Sequence, residues 1–364
     1  MEKIKVAIIT FHCSYNYGSA LQAFALRTLL IKKKYEVNII DFIYKKDFEQ
    51  YRLFRMNTYL KNPKSFVGDI IFFKKNYKRK YSFETFAKKY FNLTRKKYYN
   101  YEDMRELNDK FDIFICGSDQ IWNLDCTQGV EPAYFLNFVN KDKLKIAYAP
   151  SLAHIKFAKN YDEDLKKAIK NIDYISVREE STLPLIQSLT GKKVNVVLDP
   201  TLLLDRKDYE LIINQKKQRD EYIFVYMLEY NDELVRYCNK FSNKRKIKVI
   251  YIANNKFSGI KGYNAFGIGP DKFLKYIKEA KYIITNSFHA TVFSIIFNKK
   301  FVTFTTKRSS SRMVDLLDKL GMPERIYNEN FNIDKDIDYD RVQEKLIDMR
   351  KSSLEYLSKA LKRE

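Results

Sequence analysis

The 364-residue chain holds three histidines, His12, His154 and His289, and each comes just after a short β-branched run. His289 lies in Asn286-Ser287-Phe288-His289-Ala290, directly behind the apolar run Tyr282–Thr285. Asn286 or Ser287 is placed to cap a helix there. An imidazole in the first turn of a helix sits among exposed N–H groups and the positive end of the macrodipole, which favour an anion. His289 therefore fits a general acid or base beside a phosphorylated ligand. It fits equally well as a hydrogen-bonded histidine that steadies the helix start.

A second group is Gly117-Ser118-Asp119-Gln120-Ile121-Trp122-Asn123, after the apolar run Asp112–Cys116. Gly117 permits a tight turn. Asp119 can act as a base or hold a sugar hydroxyl, and Ser118 beside it is a binding candidate. Trp122 is the one tryptophan, and an indole face can stack on a sugar ring. The plainer reading is a turn whose indole fills the core. Asn16, Tyr17 and Gly18 precede a helix whose first amides can cradle a phosphate or carboxylate. The plainer reading there is a capped turn. Arg178 ends the strand-like Tyr174–Val177 and can hold an anion bidentately, or pair locally with Glu179 or Glu180. Arg308 and Arg312, in Lys307-Arg308-Ser309-Ser310-Ser311-Arg312, are anion partners or part of a solvated loop. His12 and His154 are secondary candidates. No metal motif stands out: there is no H-E-x-x-H, no Cys/His cluster and no C-x-x-C. The D-x-D triplets read as surface, and Gly267–Pro270 lacks the rest of a dinucleotide fingerprint.

These residues need elements that present them. Lys5–Thr10 reads as a buried strand, Ala20–Lys33 as a helix and Glu36–Asp41 as a strand, a β-loop-α-β opening that builds parallel sheets. Residues 47–110 read as a basic helical insertion. Strands then follow at Asp112–Cys116, Lys145–Ala149, Tyr174–Val177 and Val194–Leu198, with helices at Asp162–Asn171 and Glu179–Leu189. A second series runs through strand Tyr222–Leu228, helix Asp232–Phe241, strand Lys248–Ile252, helix Pro270–Glu279, strand Tyr282–Thr285, helix Ser287–Phe297 and strand Phe301–Thr305. From Arg341, apolar residues at helical spacing form an amphipathic helix. The expected architecture is α/β, with two Rossmann-like domains facing a cleft: 1–204, carrying the insertion, and 205–330, followed by a helical tail at 331–364. Ligands in such sheets sit outside the carboxyl ends of the strands.

Composition narrows the classes. Hydrophobic residues are 45% of the chain, enough for packed cores. No apolar run approaches the roughly 20 residues that span a bilayer, and the apolar stretch at the start is too short for a secretory signal. Four cysteines without framework spacing suggest a reduced, cytoplasmic protein. Lys+Arg is 67 against Asp+Glu 45, a net charge of +22. That is either a lysine-rich solvated surface or an electropositive face for anionic lipid or phosphorylated substrates. No nucleic-acid module is recognisable.

Together the motifs resemble the polysaccharide pyruvyl transferase family. The similar segments are Asn16–Leu26 (NYGSALQAFAL), Gly117–Asn123, Ile146–Ser151 (IAYAPS), Ser176–Glu180 (SVREE), Leu198–Leu204 (LDPTLLL), Gly269–Leu274 (GPDKFL) and Thr285–Phe297. They occur in the family's order as far as about residue 320. Two positions depart from it: some members carry Arg where this chain has Ser287, and many carry Gly where it has Ala290. The resemblance implies a GT-B-like fold. It also implies transfer of pyruvate from phosphoenolpyruvate, a substrate rather than a cofactor, to two hydroxyls of a saccharide acceptor, free or lipid-linked, giving a ketal.

On that reading His289 is the acid and Asp119 holds or deprotonates the acceptor over Trp122. Asn16, Tyr17, Gly18, Ser118 and Ser287 contribute binding, and Arg178, Arg308 and Arg312 carry the anion load. Two other readings remain at this level: a GT-B glycosyltransferase using a nucleotide sugar, and a non-enzymatic protein that binds anionic glycan or lipid. The charge further suggests peripheral contact with an anionic membrane.

Overall fold

The computed structural model describes residues 3–44, 51–54, 58–59, 62, 64–153, 161–213, 220–253, 258–306 and 310–364. It divides into two compact units, residues 1–203 with 349–364, and residues 204–348.

The first unit is built on β1 (Lys5–Ile9), α1 (Tyr17–Lys32), β2 (Glu36–Ile39), α2 (Lys64–Tyr90), β3 (Ile113–Cys116), β4 (Leu144–Ala147), α3 (Asp162–Ile169), β5 (Tyr174–Val177), α4 (Leu183–Thr190) and β6 (Val194–Val196). Its six strands are all parallel, in the order β2-β1-β3-β4-β5-β6. Helices cover both faces of such a sheet, so central strands are continuous apolar runs rather than alternating ones. β3, Ile-Phe-Ile-Cys, is buried at every position. α1 starts at Asn16, whose side chain accepts from the Gly18 and Ser19 amides, and most of the helix is buried. The core gathers Phe114, Trp122, Tyr134, Phe135 and Phe138.

The second unit carries β7 (Tyr222–Met227), α5 (Asp232–Arg245), β8 (Lys248–Ala253), β9 (Tyr263–Asn264), α6 (Pro270–Glu279), β10 (Tyr282–Thr285), α7 (Phe288–Ile296), β11 (Lys300–Thr303) and α8 (Ser310–Leu320). This sheet is also parallel, ordered β11-β10-β7-β8-β9. α6 opens on Pro270, whose missing N–H is not needed in a first turn. The last helix, α9 (Tyr339–Lys362), starts on the second unit, where the Tyr339 hydroxyl donates to the Lys299 carbonyl at 2.5 Å. Its last turns pack on the first unit: Ser353 Oγ accepts from the Leu198 amide at 3.0 Å, and the Tyr356 hydroxyl donates to the Ala147 carbonyl at 3.2 Å.

Three local expectations shift. The helix after Arg178 opens as a 3-10 turn, Glu180–Thr182, and becomes α-helical only at Leu183. Pro184 explains the delay, because a proline ring clashes with a preceding helical turn. β6 leaves the ladder before Leu198. The 47–110 insertion is not wholly helical: after α2 it returns along β2 through the parallel bridges Ile39–Leu93 and Phe42–Tyr98.

Candidate active site

Strand order reverses between β1 and β3 in the first sheet and between β7 and β10 in the second. In open α/β sheets, ligands sit at such reversals, beyond the carboxyl ends. Ser118 and Asp119 directly follow β3, His12 follows β1, and Asn286–His289 directly follow β10.

The β3 end is a buried polar network. Gly117 is held at φ +120°, and a Cβ there would lie 2.0 Å from the Tyr148 carbonyl oxygen, so only glycine fits. The Ser118 amide donates to Gln22 Oε1 at 3.1 Å, and its hydroxyl donates to the Ala149 carbonyl at 2.8 Å. Gln22 Nε2 donates to Thr10 Oγ1 at 2.8 Å, and Thr10 Oγ1 donates to the Ser118 carbonyl at 3.1 Å. Ser118 is fully buried. Its expected place among the substrate-binding groups is corrected: it locks the ends of β1, β3 and β4 together. Asp119 follows at φ +71°, a left-handed conformation that Asp tolerates better than most residues. Its carboxylate accepts from Ser19 Oγ at 2.5 Å.

Arg178 joins this network from β5. Nη1 donates to Asp199 Oδ2 at 2.7 Å and Nε to Glu179 Oε1 at 3.2 Å. Burial by itself works against the guanidinium charge. The carboxylates of Glu179, Asp199 and Asp119 outweigh it and raise the Arg178 pKa above its ordinary value. The same burial, with the Asp199 charge, lifts the Tyr148 hydroxyl well above its usual range. One cation thus faces three carboxylates. The expectation that Arg178 carries the anion load is corrected: its charge is already met inside the protein. Glu179 Oε2 is buried with no hydrogen-bond partner among the described residues.

Two more expectations change. Trp122 is 0% exposed, stacks on Phe135 at 5.1 Å and donates from Nε1 to the Tyr134 carbonyl at 3.0 Å. An indole enclosed on both faces cannot lie beneath a sugar, so Trp122 is core. At the start of α1, Asn16 Oδ1 already takes the Gly18 and Ser19 amides at 2.8 and 3.4 Å. Tyr17 is buried against Phe83. Asn16, Tyr17 and Gly18 therefore form a capped turn rather than an anion cradle.

A pocket of about 990 Å³ opens in the first unit at the ends of β1 and β2. His12 and Asp41 form its polar floor, with Nε2 3.1 Å from Asp41 Oδ1 and Nδ1 3.3 Å from the Thr10 carbonyl. The insertion builds much of the wall: Tyr51, Phe54, Phe83 and Tyr99 offer aromatic surface, and Lys88 and Lys97 offer charge. Glu84 is already engaged by Lys80 and by the Tyr15 hydroxyl. Lys88 and Lys97 have no ion pair among the described residues. The pocket suits an anionic ligand with ring or apolar surface.

In the second unit, Asn286 is fully buried. Its Oδ1 accepts from the Leu228 amide at 2.8 Å and its Nδ2 donates to the Glu229 carbonyl at 2.5 Å. This pins the end of β10 to the residues after β7. Ser287 caps α7, accepting from the Ala290 amide at 3.5 Å. His289 occupies the first turn, mostly buried, with its ring edge-on to Phe288 at 5.2 Å. The Arg312 guanidinium, from α8, lies 5.8 Å over the Phe288 ring. Arg312 thus reaches the first turn of α7 through Phe288, the residue between Ser287 and His289. His154 and Arg308 lie outside the described residues.

A sequence profile described as polysaccharide pyruvyl transferase matches residues 16–308, most of the chain. The chain belongs to the polysaccharide pyruvyl transferase family. Comparison with curated proteins returns no match. Among solved structures, a UDP-N-acetylglucosamine 2-epimerase is similar over 100% of this chain and 98% of its own, with a TM-score of 0.56 and 9% identity. A Listeria monocytogenes protein titled as a UDP-N-acetylglucosamine 2-epimerase covers 99% and 91%, with TM-score 0.54 and 10% identity. S. aureus MnaA, solved with UDP, covers 96% and 88%, with TM-score 0.50 and 14% identity. At these identities the likeness shows the fold alone, a GT-B-like pair of parallel α/β sheets.

In this pyruvyl transferase family chain, the sequence reading overlooked Gln22, Asp199 and Asp41 as site residues. Each carried a signal. Gln22 is a lone amide in an apolar helix face. Asp199 stands between a strand and a proline. Asp41 is a carboxylate just after the second strand, as His12 is an imidazole just after the first.

Proposed function

We propose that the protein transfers pyruvate from phosphoenolpyruvate to two hydroxyls of a saccharide, forming a pyruvate ketal and releasing phosphate. The observation that carries this reading is the family match, together with the position of the matched residues at the strand-order reversals. Phosphoenolpyruvate carries a carboxylate and a phosphate, which call for cations and helix N-termini. The start of α7 with Arg312 offers both, and Arg308 is assigned with them.

His289 is assigned as the acid that protonates the methylene carbon, leaving an oxocarbenium-like centre. One sugar hydroxyl adds there, the C–O bond to phosphate breaks, and the second hydroxyl closes the ketal. Two hydroxyl protons are released: one balances the methylene proton and the other leaves with phosphate. Asp119, steadied by Ser19, is assigned to accept a hydroxyl proton. General acid–base help of this kind contributes about 10²–10⁴-fold. The aromatic pocket supports an acceptor site in the first unit, where Lys88 and Lys97 suit an anionic saccharide. The donor is an intracellular metabolite, so this reading places the reaction in the cytoplasm.

The test is thermal stability with phosphoenolpyruvate, a nucleoside diphosphate and plain phosphate at matched ionic strength. Ligands that bind only the native state raise Tm. A shift specific to phosphoenolpyruvate, followed by acceptor-dependent phosphate release, is expected. A shift with the nucleotide alone moves the assignment to glycosyl transfer.

A further inference from the structure

Helix α2 carries a face that no core covers. Phe66, Val67, Ile70 and Ile71 are 44%, 57%, 53% and 67% exposed, and they cluster in its first turns. Phe54 is exposed too and stacks on Phe73 of the same helix at 5.5 Å. The other exposed large apolar residues, such as Ile4, Leu211 and Ile347, are scattered singly through the sequence, as is ordinary for a soluble surface. A contiguous apolar patch marks an interaction site.

The charge beside the patch says what covers it. The next turns on the same face carry Lys74, Lys75 and Lys78, all exposed, with Tyr77 and Tyr81 among them. Between residues 64 and 83 there are six cations and one carboxylate, Asp69. Asp69 is buried, where it accepts from the Tyr59 hydroxyl at 2.8 Å. The exposed face is thus apolar at one end, then cationic and phenolic, with no acid before Glu84, which Lys80 engages.

At 1.5 Å per residue, the exposed stripe from Phe66 to Tyr81 runs about 22 Å along the helix, long enough to lie flat on an interface. Interfacial helices bury their apolar face about 5–10 Å into the headgroup boundary. Tyrosines and lysines are the residues found at that level, the lysine stems lying on apolar surface while their ammonium groups reach outward. A second copy of this chain is the poorer occupant, because it offers the lysine row no opposite charge. An anionic bilayer supplies the opposite charge, and the whole chain at +22 is drawn to it.

We propose that the first half of α2 docks the protein on an anionic lipid surface. Its opening turns enter the interface, and Lys74, Lys75 and Lys78 meet the headgroup phosphates. None of the described helices is long and apolar enough to cross a membrane, so this is contact from one side. The later turns of α2 wall the 990 Å³ pocket, so docking holds that pocket close to the lipid. The contact does not depend on the transfer chemistry and is measured without substrate.

The experiment is sedimentation of the full chain with phosphatidylcholine vesicles, with and without phosphatidylglycerol. The wild type is expected to bind only the anionic vesicles. Lys74→Gln, Lys75→Gln and Lys78→Gln together should weaken partitioning on the order of 100-fold, from about fivefold per lysine. Ile70→Ser with Ile71→Ser keeps the charge and should still weaken it by at least about tenfold, through lost apolar burial. Circular dichroism checks that both variants fold. No binding of the wild type to anionic vesicles overturns the proposal. So does undiminished binding of the isoleucine variant, which would leave no insertion. A wild-type dimer that the isoleucine variant dissociates, seen by analytical ultracentrifugation, assigns the face to a second copy instead.

Discussion

The Ser19 hydroxyl donates to the Asp119 carboxylate at 2.5 Å, joining residues one hundred positions apart. The bond ties the first turn of α1 to the turn after β3, on the two sides of the sheet's reversal. It orients a carboxylate that burial alone would leave without a donor. Asp119→Asn keeps an acceptor for Ser19 and tolerates the left-handed backbone. The variant is expected to fold with a Tm near wild type while phosphate release falls about 10²–10⁴-fold. A large loss of Tm would instead make Asp119 structural.

His289→Gln tests the acid. Gln keeps a polar side chain in the first turn of α7 and leaves the Ser287 cap in place. Turnover is expected to fall by about 10²–10⁴-fold, while phosphoenolpyruvate still raises Tm. Near-normal turnover would sink the assignment.

The Arg178–Asp199 pair, at 2.7 Å and almost fully buried, is a stability element. Removing Arg178 leaves Asp199 and Glu179 buried without their cation, whereas removing Asp199 leaves Arg178 its bond to Glu179 but breaks the shorter pair. Arg178→Ala or Asp199→Ala is therefore expected to cost about 3–5 kcal/mol in urea unfolding. The double variant should lose less than the sum, with a coupling of about 0.5–3 kcal/mol. Additive losses would mean the pair does not act as one.

Alkaline pH should destabilise the protein. Burial pushes the Cys238 thiol from 9.0 up to about 12. Burial, then the hydrogen bond to Asp334, raises the Tyr282 hydroxyl from 10.0 to about 12. In the unfolded chain both groups ionise earlier, so their deprotonation favours unfolding. Their contribution is complete below the unfolded values and is lost as pH rises through the folded ones. Tm is expected to fall between pH 9 and 12, and Cys238→Ala should flatten part of that slope. A flat Tm across the window would contradict the assignment.

Trp122 reports on its own burial. As the one tryptophan, it should emit like a buried indole, resist iodide quenching and show no change when a saccharide is added. Trp122→Ala is expected to cost about 3–5 kcal/mol. Saccharide-dependent emission would return the indole to the binding surface.

Much of the chain was legible because its signals are local. Helix Pro270–Glu279 and strand Tyr282–Thr285 have the same bounds in sequence and structure. Proline at a helix start and a short β-branched run need only their neighbours to be read. The Ser287 cap and the His289 position one turn later are local in the same way. Ser118, Trp122 and Arg178 were misread because their partners are remote in sequence. Ser118 is locked by Gln22 and Ala149, Trp122 is covered by Tyr134 and Phe135, and Arg178 is met by Asp199.

The sequence by itself determined the alternation of strands and helices, the family, and which loops follow which strands, since periodicity, caps and motif order are written in consecutive residues. Only the tertiary structure decided which polar groups those loops spend on each other and which they leave for a ligand. Sheet order brings together the ends of β1, β3, β5 and β6, and burial there requires each donor, acceptor and charge to find a partner. That requirement turned Trp122 and Arg178 inward, and the return of the 47–110 insertion along β2 built a cationic, aromatic pocket that spacing along the chain does not record.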